Sequence, residues 1–232
     1  MYQMHRFFAT ILLILISMQG FGINARNSNN DYILIVSSYS YSDEWGTSVA
    51  KAIQKEIENR NSNILVNISY AGIANTESYI SGRFGMQAAF TYGKLSPAQA
   101  VPSLLILIGD ESWMYYRAMD LNGLWKDVPV IIVGNRPQVM KEYSVFFSGA
   151  SLQDSLFISV EHSFSHIPAM SIMRRDDDSP TIGLIKELIP DIKQLTFLSA
   201  DNYQDQYVIY TLREQISKQY PELALKVIHK GN

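Results

Sequence analysis

The chain contains no cysteine. That excludes disulfides, thiolate metal sites and cysteine nucleophiles, and with them the lipoprotein anchor that needs a cysteine at its cleavage point. A surplus of positive charge is also missing: 19 Lys and Arg stand against 22 Asp and Glu, a formal net charge of −3. Nucleic acid and anionic lipid attract a basic surface that this balance does not supply. The sequence has neither G-x-G-x-x-G nor a phosphate loop, so nucleotide binding has no support, and no serine lies in G-x-S-x-G. Long apolar runs are scarce. The one near the start, Phe7 to Met18, is about a dozen residues, short of the roughly 20 that cross a bilayer. What the chain does have is a core-forming composition, 47% hydrophobic over 232 residues, and 14 tyrosines. Tyrosine suits binding surfaces because one end is apolar and the other hydrogen-bonds.

The first 25 residues read as a leader. A basic start at Arg6, the Phe7–Met18 stretch and a small-residue exit toward Gly22 or Ala25 make a secretory signal. Export of the remainder is expected, to the periplasm or the extracytoplasmic face of a bacterial membrane. An uncleaved N-terminal anchor is the other reading of the same segment.

Beyond the leader, strand and helix patterns alternate. Tyr32–Ser38, Leu104–Ile108 and Pro129–Val133 are continuous apolar runs of the kind buried on both faces of a parallel sheet; Ile64–Tyr70 alternates. Helices are expected after Ser42 or Asp43 with a Val49–Ile53–Ile57 stripe, after Asn75 with Ile80, Phe84 and Ala88 on one face, and over Ser112–Met119. Val145–Phe147 and Leu156–Val160 are weaker strand candidates. The order β-α-β-α-β-α-β predicts a doubly wound α/β sheet. Residues 161–180 break the pattern and read as a crossover. A second α/β pattern follows: helix Thr181–Ile189, strand Leu195–Ser199, helix Tyr203–Lys218, strand Ala224–Ile228. The expected organisation is a signal over 1–25, a first lobe over 26–160, a hinge over 161–180, and an incomplete second lobe over 181–232. Two strands fall short of the four to six of a usual sheet, so the chain reads as truncated.

Ligands of open parallel sheets bind beyond the carboxyl ends of the strands. Those ends carry Tyr39, Tyr41 and Trp45 after the first strand, Asp110 and Glu111 after the third, Asn135 after the fourth, and Asp201 and Tyr203 in the second lobe. Rings, carboxylates and an amide on one edge fit a small polar or aromatic ligand. Asp110–Glu111 has the composition of an acid/base pair, but adjacent carboxylates on such a turn more often cap the helix or bind a ligand's hydroxyls or amine. His162 and His166 have the spacing of metal ligands, yet Pro168 follows and no H-E-x-x-H exists; solvated loop histidines are the better reading. Asp176–Asp178 lacks the spaced ligands of a calcium loop. No cofactor, metal or catalytic residue is assigned.

These segments together resemble a known family. Ile33-Leu34-Ile35-Val36-Ser37-Ser38-Tyr39 followed by Trp45, Gly109-Asp110-Glu111 closing the third strand, and Pro129-Val130 opening the fourth resemble type I periplasmic-binding-protein-like domains. Leu184 to Pro190 before Leu195-Thr196-Phe197-Leu198 is similar to the opening of their second lobe. The nearer likeness is to extracytoplasmic sensor regions of bacterial histidine kinases, particularly the hybrid kinases of Bacteroidetes; solute-binding components of ABC importers share the pattern. The resemblance implies capture of a small molecule in a cleft between lobes, as part of a two-component sensor or, alternatively, of an importer. The partners it implies are the ligand and a membrane-bound kinase region or a permease, with a homodimer left open and nucleic acid excluded. An exported hydrolase is the remaining alternative and lacks a nucleophile and base at the strand ends.

Overall fold

The computed structural model describes residues 32–74, 79–92, 101–118, 125, 127–141, 157–164, 167–174, 179–200 and 202–230. The leader, the Asn75 cap, the Val145–Phe147 strand candidate, His166, Asp176–Asp178 and Asp201 lie outside them. Strand β1 (Tyr32–Ser37) is followed by helix α1 (Glu44–Arg60), β2 (Leu65–Tyr70), α2 (Tyr79–Tyr92), β3 (Leu104–Ile108), α3 (Asp110–Ala118) and β4 (Val130–Asn135). Short strands β5 (Gln138–Met140) and β6 (Phe157–Ser159) come next, then β7 (Ala169–Met173). The chain goes on through α4 (Ser179–Leu188), β8 (Gln194–Ser199), α5 (Tyr203–Gln219) and β9 (Ala224–His229).

The principal sheet runs β2-β1-β3-β4-β7 with every pairing parallel. The α/β class with a parallel sheet is therefore as the sequence predicts. Strands β1, β3 and β4 are buried along their whole length, which is why they read as unbroken apolar runs. Because β2 and β3 lie on opposite sides of β1, the winding reverses between β1 and β3. The carboxyl ends of those two strands diverge into opposite-facing connections and leave a crevice there. Strand β7 lies within the stretch expected to be only a crossover, and it forms an edge of this sheet beside β4. Strands β5 and β6 pair antiparallel, and β8 and β9 form a separate parallel pair.

Two helix faces differ from expectation. In α1 the buried stripe is Gly46, Ala50, Ile53 and Ile57, with Val49 only half-buried. In α2 Phe84 is 67% exposed while Met86, Ala89 and Phe90 are buried. Glycine explains both. A Cβ on Gly46 would come within 2.6 Å of the Tyr39 Cβ, and one on Gly82 would collide with the Tyr115 hydroxyl. The helices lie so close to their neighbours that only the glycine-bearing face fits inward. Helix α3 begins two residues earlier than expected and is buried from Asp110 through Tyr116. Its Trp113 ring donates an indole hydrogen bond of 2.6 Å to Ser163 Oγ. The main core reaches beyond the sheet to include Phe157, Tyr203 and Tyr207, so the first turns of α5 pack into it. Ile182, Ile216 and Leu223 centre a second, smaller core under β8 and β9.

Candidate functional site

The candidate site lies where β1, β3 and β4 end. Two of these ends turn through a left-handed glycine, Gly109 at φ 93° and Gly134 at φ 70°. That conformation suits glycine, and here close packing reinforces it. A Cβ at Gly109 would run into the Ser38 hydroxyl, and one at Gly134 would meet the Trp45 ring. The loop after β1 is thereby drawn across the ends of β3 and β4. Ser38 fastens it, donating from both its backbone N–H and its hydroxyl to the Ile108 carbonyl at 2.9 and 3.0 Å. Asp43 caps α1 by accepting from Gly46 N–H at 2.7 Å, which fixes where Trp45 emerges. The Tyr39 and Trp45 rings meet edge to face at 5.1 Å.

Beneath these rings lies a buried polar cluster. Asp110 and Glu111 open α3, where the unpaired N–H groups of the helix terminus favour negative charge. Asp110 Oδ1 accepts the Arg136 backbone N–H at 2.7 Å, and its Oδ2 accepts Arg136 Nη1 at 3.2 Å and the Tyr203 hydroxyl at 3.4 Å. The Arg136 guanidinium lies 4.5 Å from the Tyr207 ring centre and donates to Gln204 Oε1 at 3.4 Å. Gln204 Nε2 in turn donates to Glu111 Oε1 at 3.2 Å. Asp110, Glu111 and Arg136 are each 4% exposed or less. The start of α5 therefore roofs the strand ends with Tyr203, Gln204 and Tyr207, its first turn capped by Asn202.

Burial dominates the electrostatics. It pushes the Glu111 carboxyl up to about 7, with the charge of Asp110 adding to the rise, while its own backbone N–H, Arg136 and Gln204 oppose it. Burial also raises Asp110, against the pull of Arg136 and then Arg174. The Tyr39 hydroxyl is pushed up to about 12, first by burial and then by the Glu111 charge. Tyr203 is raised well above the ordinary range for the same reason. Both tyrosines are hydrogen-bonding groups here and not acids.

Of the residues singled out from the sequence, Tyr39, Trp45, Asp110, Glu111, Asn135 and Tyr203 come together at these strand ends. Tyr41 does not join them. It is 66% exposed and packs against Tyr70 at 5.4 Å with Lys51 beside its ring, a position at the rim. Asp201 is outside the described residues. Two participants were not singled out: Arg136, next to Asn135, and Gln204, next to Tyr203. An arginine directly after a buried strand was the available signal for the first; no signal in the sequence marked Gln204. Among the described residues no group of three or more His, Asp and Glu side chains is arranged to hold a metal ion. His162 instead shares a 2.8 Å hydrogen bond with Ser159 in a short turn.

No protein-family model matches the chain. No curated protein matches its sequence either. Solved structures do resemble it. One is an ABC domain in complex with L-Trp from Streptococcus pneumonia, with 13% identity, a TM-score of 0.50, and 87% of this chain aligned to 57% of that one. A second is a conserved domain protein from Vibrio cholerae, with 10% identity, a TM-score of 0.51 and the same coverage of 87% and 57%. A third is a ligand-free, open substrate-binding protein with adhesive properties from Clostridium difficile, at 15% identity and a TM-score of 0.44, with 87% and 57% covered. At these identities the first two establish a shared fold. The chain spans 57% of the length of each of the three. Among the described residues no helix is long and apolar enough to cross a membrane.

Proposed function

We propose that this chain is a ligand-capturing module that binds a small molecule at the ends of β1, β3 and β4, beneath the first turn of α5. The observation carrying this reading is the convergence of Tyr39, Asp110, Glu111 and Asn135 where the sheet reverses its winding, roofed by Tyr203 and Gln204. Buried charge at a strand-end crevice has no packing purpose that apolar side chains would not serve better. Aromatic faces supply apolar contact and the polar cluster fixes orientation. Capture works by separation and re-closure of α5 over the strand ends, and the ligand must bind the closed arrangement more tightly than the open one.

The module acts on the extracytoplasmic side as the sensing part of a histidine kinase. The Ser37-Ser38-Tyr39 and Trp45 pattern and the Arg6 to Ala25 leader support that reading. An importer's solute-binding component is the second reading, favoured by the fold shared with the ABC domain solved in complex with L-Trp. A thermal-shift screen of small metabolites on the full chain, followed by calorimetry, tests the binding site. Tyr39→Ala and Trp45→Ala each weaken the best hit more than tenfold. If both leave its affinity within twofold, the strand ends are not the site.

A further inference from the structure

Hydrogen-bonding capacity at the strand ends is unbalanced, and the imbalance has a sign. Asn135 is fully buried, and its Nδ2 donates to the Arg136 carbonyl at 2.9 Å. That bond fixes the amide orientation, since the opposite assignment would set two oxygens against each other. Asn135 Oδ1 is then left buried without a hydrogen-bond partner. The next residue's N–H is bonded to Asp110, so Asn135 and the two carboxylates belong to one pair of neighbouring strand ends. Glu111, 1% exposed, has one side-chain donor, the neutral amide of Gln204, together with its own backbone N–H. The nearby cations serve Asp110 first. Arg136 is joined to it directly, and Arg174 acts on Asp110 and Tyr39.

Two buried acceptors on neighbouring strand ends are thus under-supplied: Asn135 Oδ1 has no donor, and the Glu111 carboxylate, held by Gln204 and its own backbone N–H and drawn on by Arg136 only at a distance, has no directly paired cation among the described residues. An orphan acceptor costs on the order of 1–3 kcal/mol, and a buried charge costs more, unless a partner arrives. We propose that the ligand supplies that partner: the site takes molecules bearing a protonated amine, which donates to the Glu111 carboxylate and to Asn135 Oδ1 while the rest of the ligand lies against Tyr39 and Trp45. This rests on the strand-end reading above and names the ligand class for it. An anionic ligand would add a third negative charge, and a neutral alcohol would leave Glu111 uncompensated.

The test uses matched probes on the full chain at pH 8, by calorimetry and tryptophan fluorescence. Three skeletons (butyl, 2-phenylethyl and 2-(indol-3-yl)ethyl) are each offered as the amine, the alcohol and the carboxylate. The amine of at least one skeleton binds tenfold or more tightly than its alcohol, and its carboxylate does not bind measurably. Glu111→Gln and Asn135→Ala each cut the ratio of amine to alcohol affinity at least fivefold; an unchanged ratio in both would overturn the amine assignment. If alcohols or carboxylates bind as well as amines and Trp45→Ala still abolishes that binding, the ligand class is wrong and the strand-end site stands. If no probe binds at millimolar concentration, the site reading and the ligand class fail together.

Discussion

Glu111→Gln should make this protein more stable, and only above mildly acidic pH. The Glu111 carboxyl lies against the core side of the strand ends at 1% exposure, and its pKa rises from 4.5 to about 7. Desolvation is the leading cause and the Asp110 charge the second. Because the folded state holds this proton more tightly than the unfolded chain, it binds more protons between pH 4.5 and 7. Stability therefore falls as pH rises through that window, and the loss is complete above about pH 7. The interval corresponds to about 3 kcal/mol at roughly 1.4 kcal/mol per tenfold change in the proton equilibrium. Glutamine keeps the shape and an acceptor for Gln204 but has no charge to desolvate. The stability gap between Glu111→Gln and the parent should widen in the variant's favour by about 1–3 kcal/mol from pH 5 to pH 8. Urea unfolding followed by tryptophan fluorescence at pH 5, 6, 7 and 8 measures it. Parallel stability curves for the two proteins, or a gap that narrows as pH rises, would refute the argument.

Three further outcomes are expected. Arg136→Ala leaves the buried Asp110 carboxylate without its ion-pair partner and should cost about 3–5 kcal/mol in urea unfolding, whereas a loss below about 1 kcal/mol would mean that water reaches the pair. Gly134→Ala should cost about 1–3 kcal/mol through backbone strain and displacement of Trp45, and a red-shifted tryptophan emission would report the displacement. Met86→Ala should cost about 2–5 kcal/mol while Phe84→Ser stays within about 0.5 kcal/mol of the parent; equal losses would contradict the face that α2 presents to the core.

The central strands were legible because burial on both faces removes the need for polar alternation; Tyr32–Ser37, Leu104–Ile108 and Val130–Asn135 announce themselves as apolar runs. Strand β7 was not, since an edge strand half-buried over Ala169–Ser171 carries no such run, and Pro168 together with Arg174 suggested a loop. The α1 stripe holds at Ile53 and Ile57 but not at Val49, and the expected α2 face fails at Phe84. Val49 and Phe84 look like core by hydropathy, but the close approach of Tyr39 to Gly46 and of Tyr115 to Gly82 turns the glycine-bearing faces inward. Asp110, Glu111, Asn135 and Tyr203 were found because the carboxyl ends of parallel strands can be read from the strands themselves. Arg136 and Gln204 are not marked in this way: Arg136 falls one residue past β4 and Gln204 lies within the first turn of α5. What buries them is contact with groups far along the chain: Asp110 lies 26 residues before Arg136, and Glu111 lies 93 before Gln204.

The same cluster that costs stability would give the proposed site its chemistry. If these positions served packing alone, apolar side chains of equal size would be neutral or better, because a buried ion pair seldom repays its desolvation. The buried charges gather in one place. Asp110, Glu111, Asn135 and Arg136 all lie at the ends of β3 and β4, and the left-handed glycines at 109 and 134 lie there too. Elsewhere in the principal sheet, the buried faces of β1, β3 and β4 are aliphatic apart from Tyr32 and Ser37. A cost carried at a strand-end crevice is one that a bound molecule can offset. Such a ligand would bring a donor to Asn135 Oδ1 and a cation to Glu111, and binding would then rigidify α5 against the strand ends through Tyr203 and Gln204. Ligand affinity and the stability of the roofed state are therefore one linked quantity, and a substitution that relieves the cost, such as Glu111→Gln, trades binding selectivity for stability.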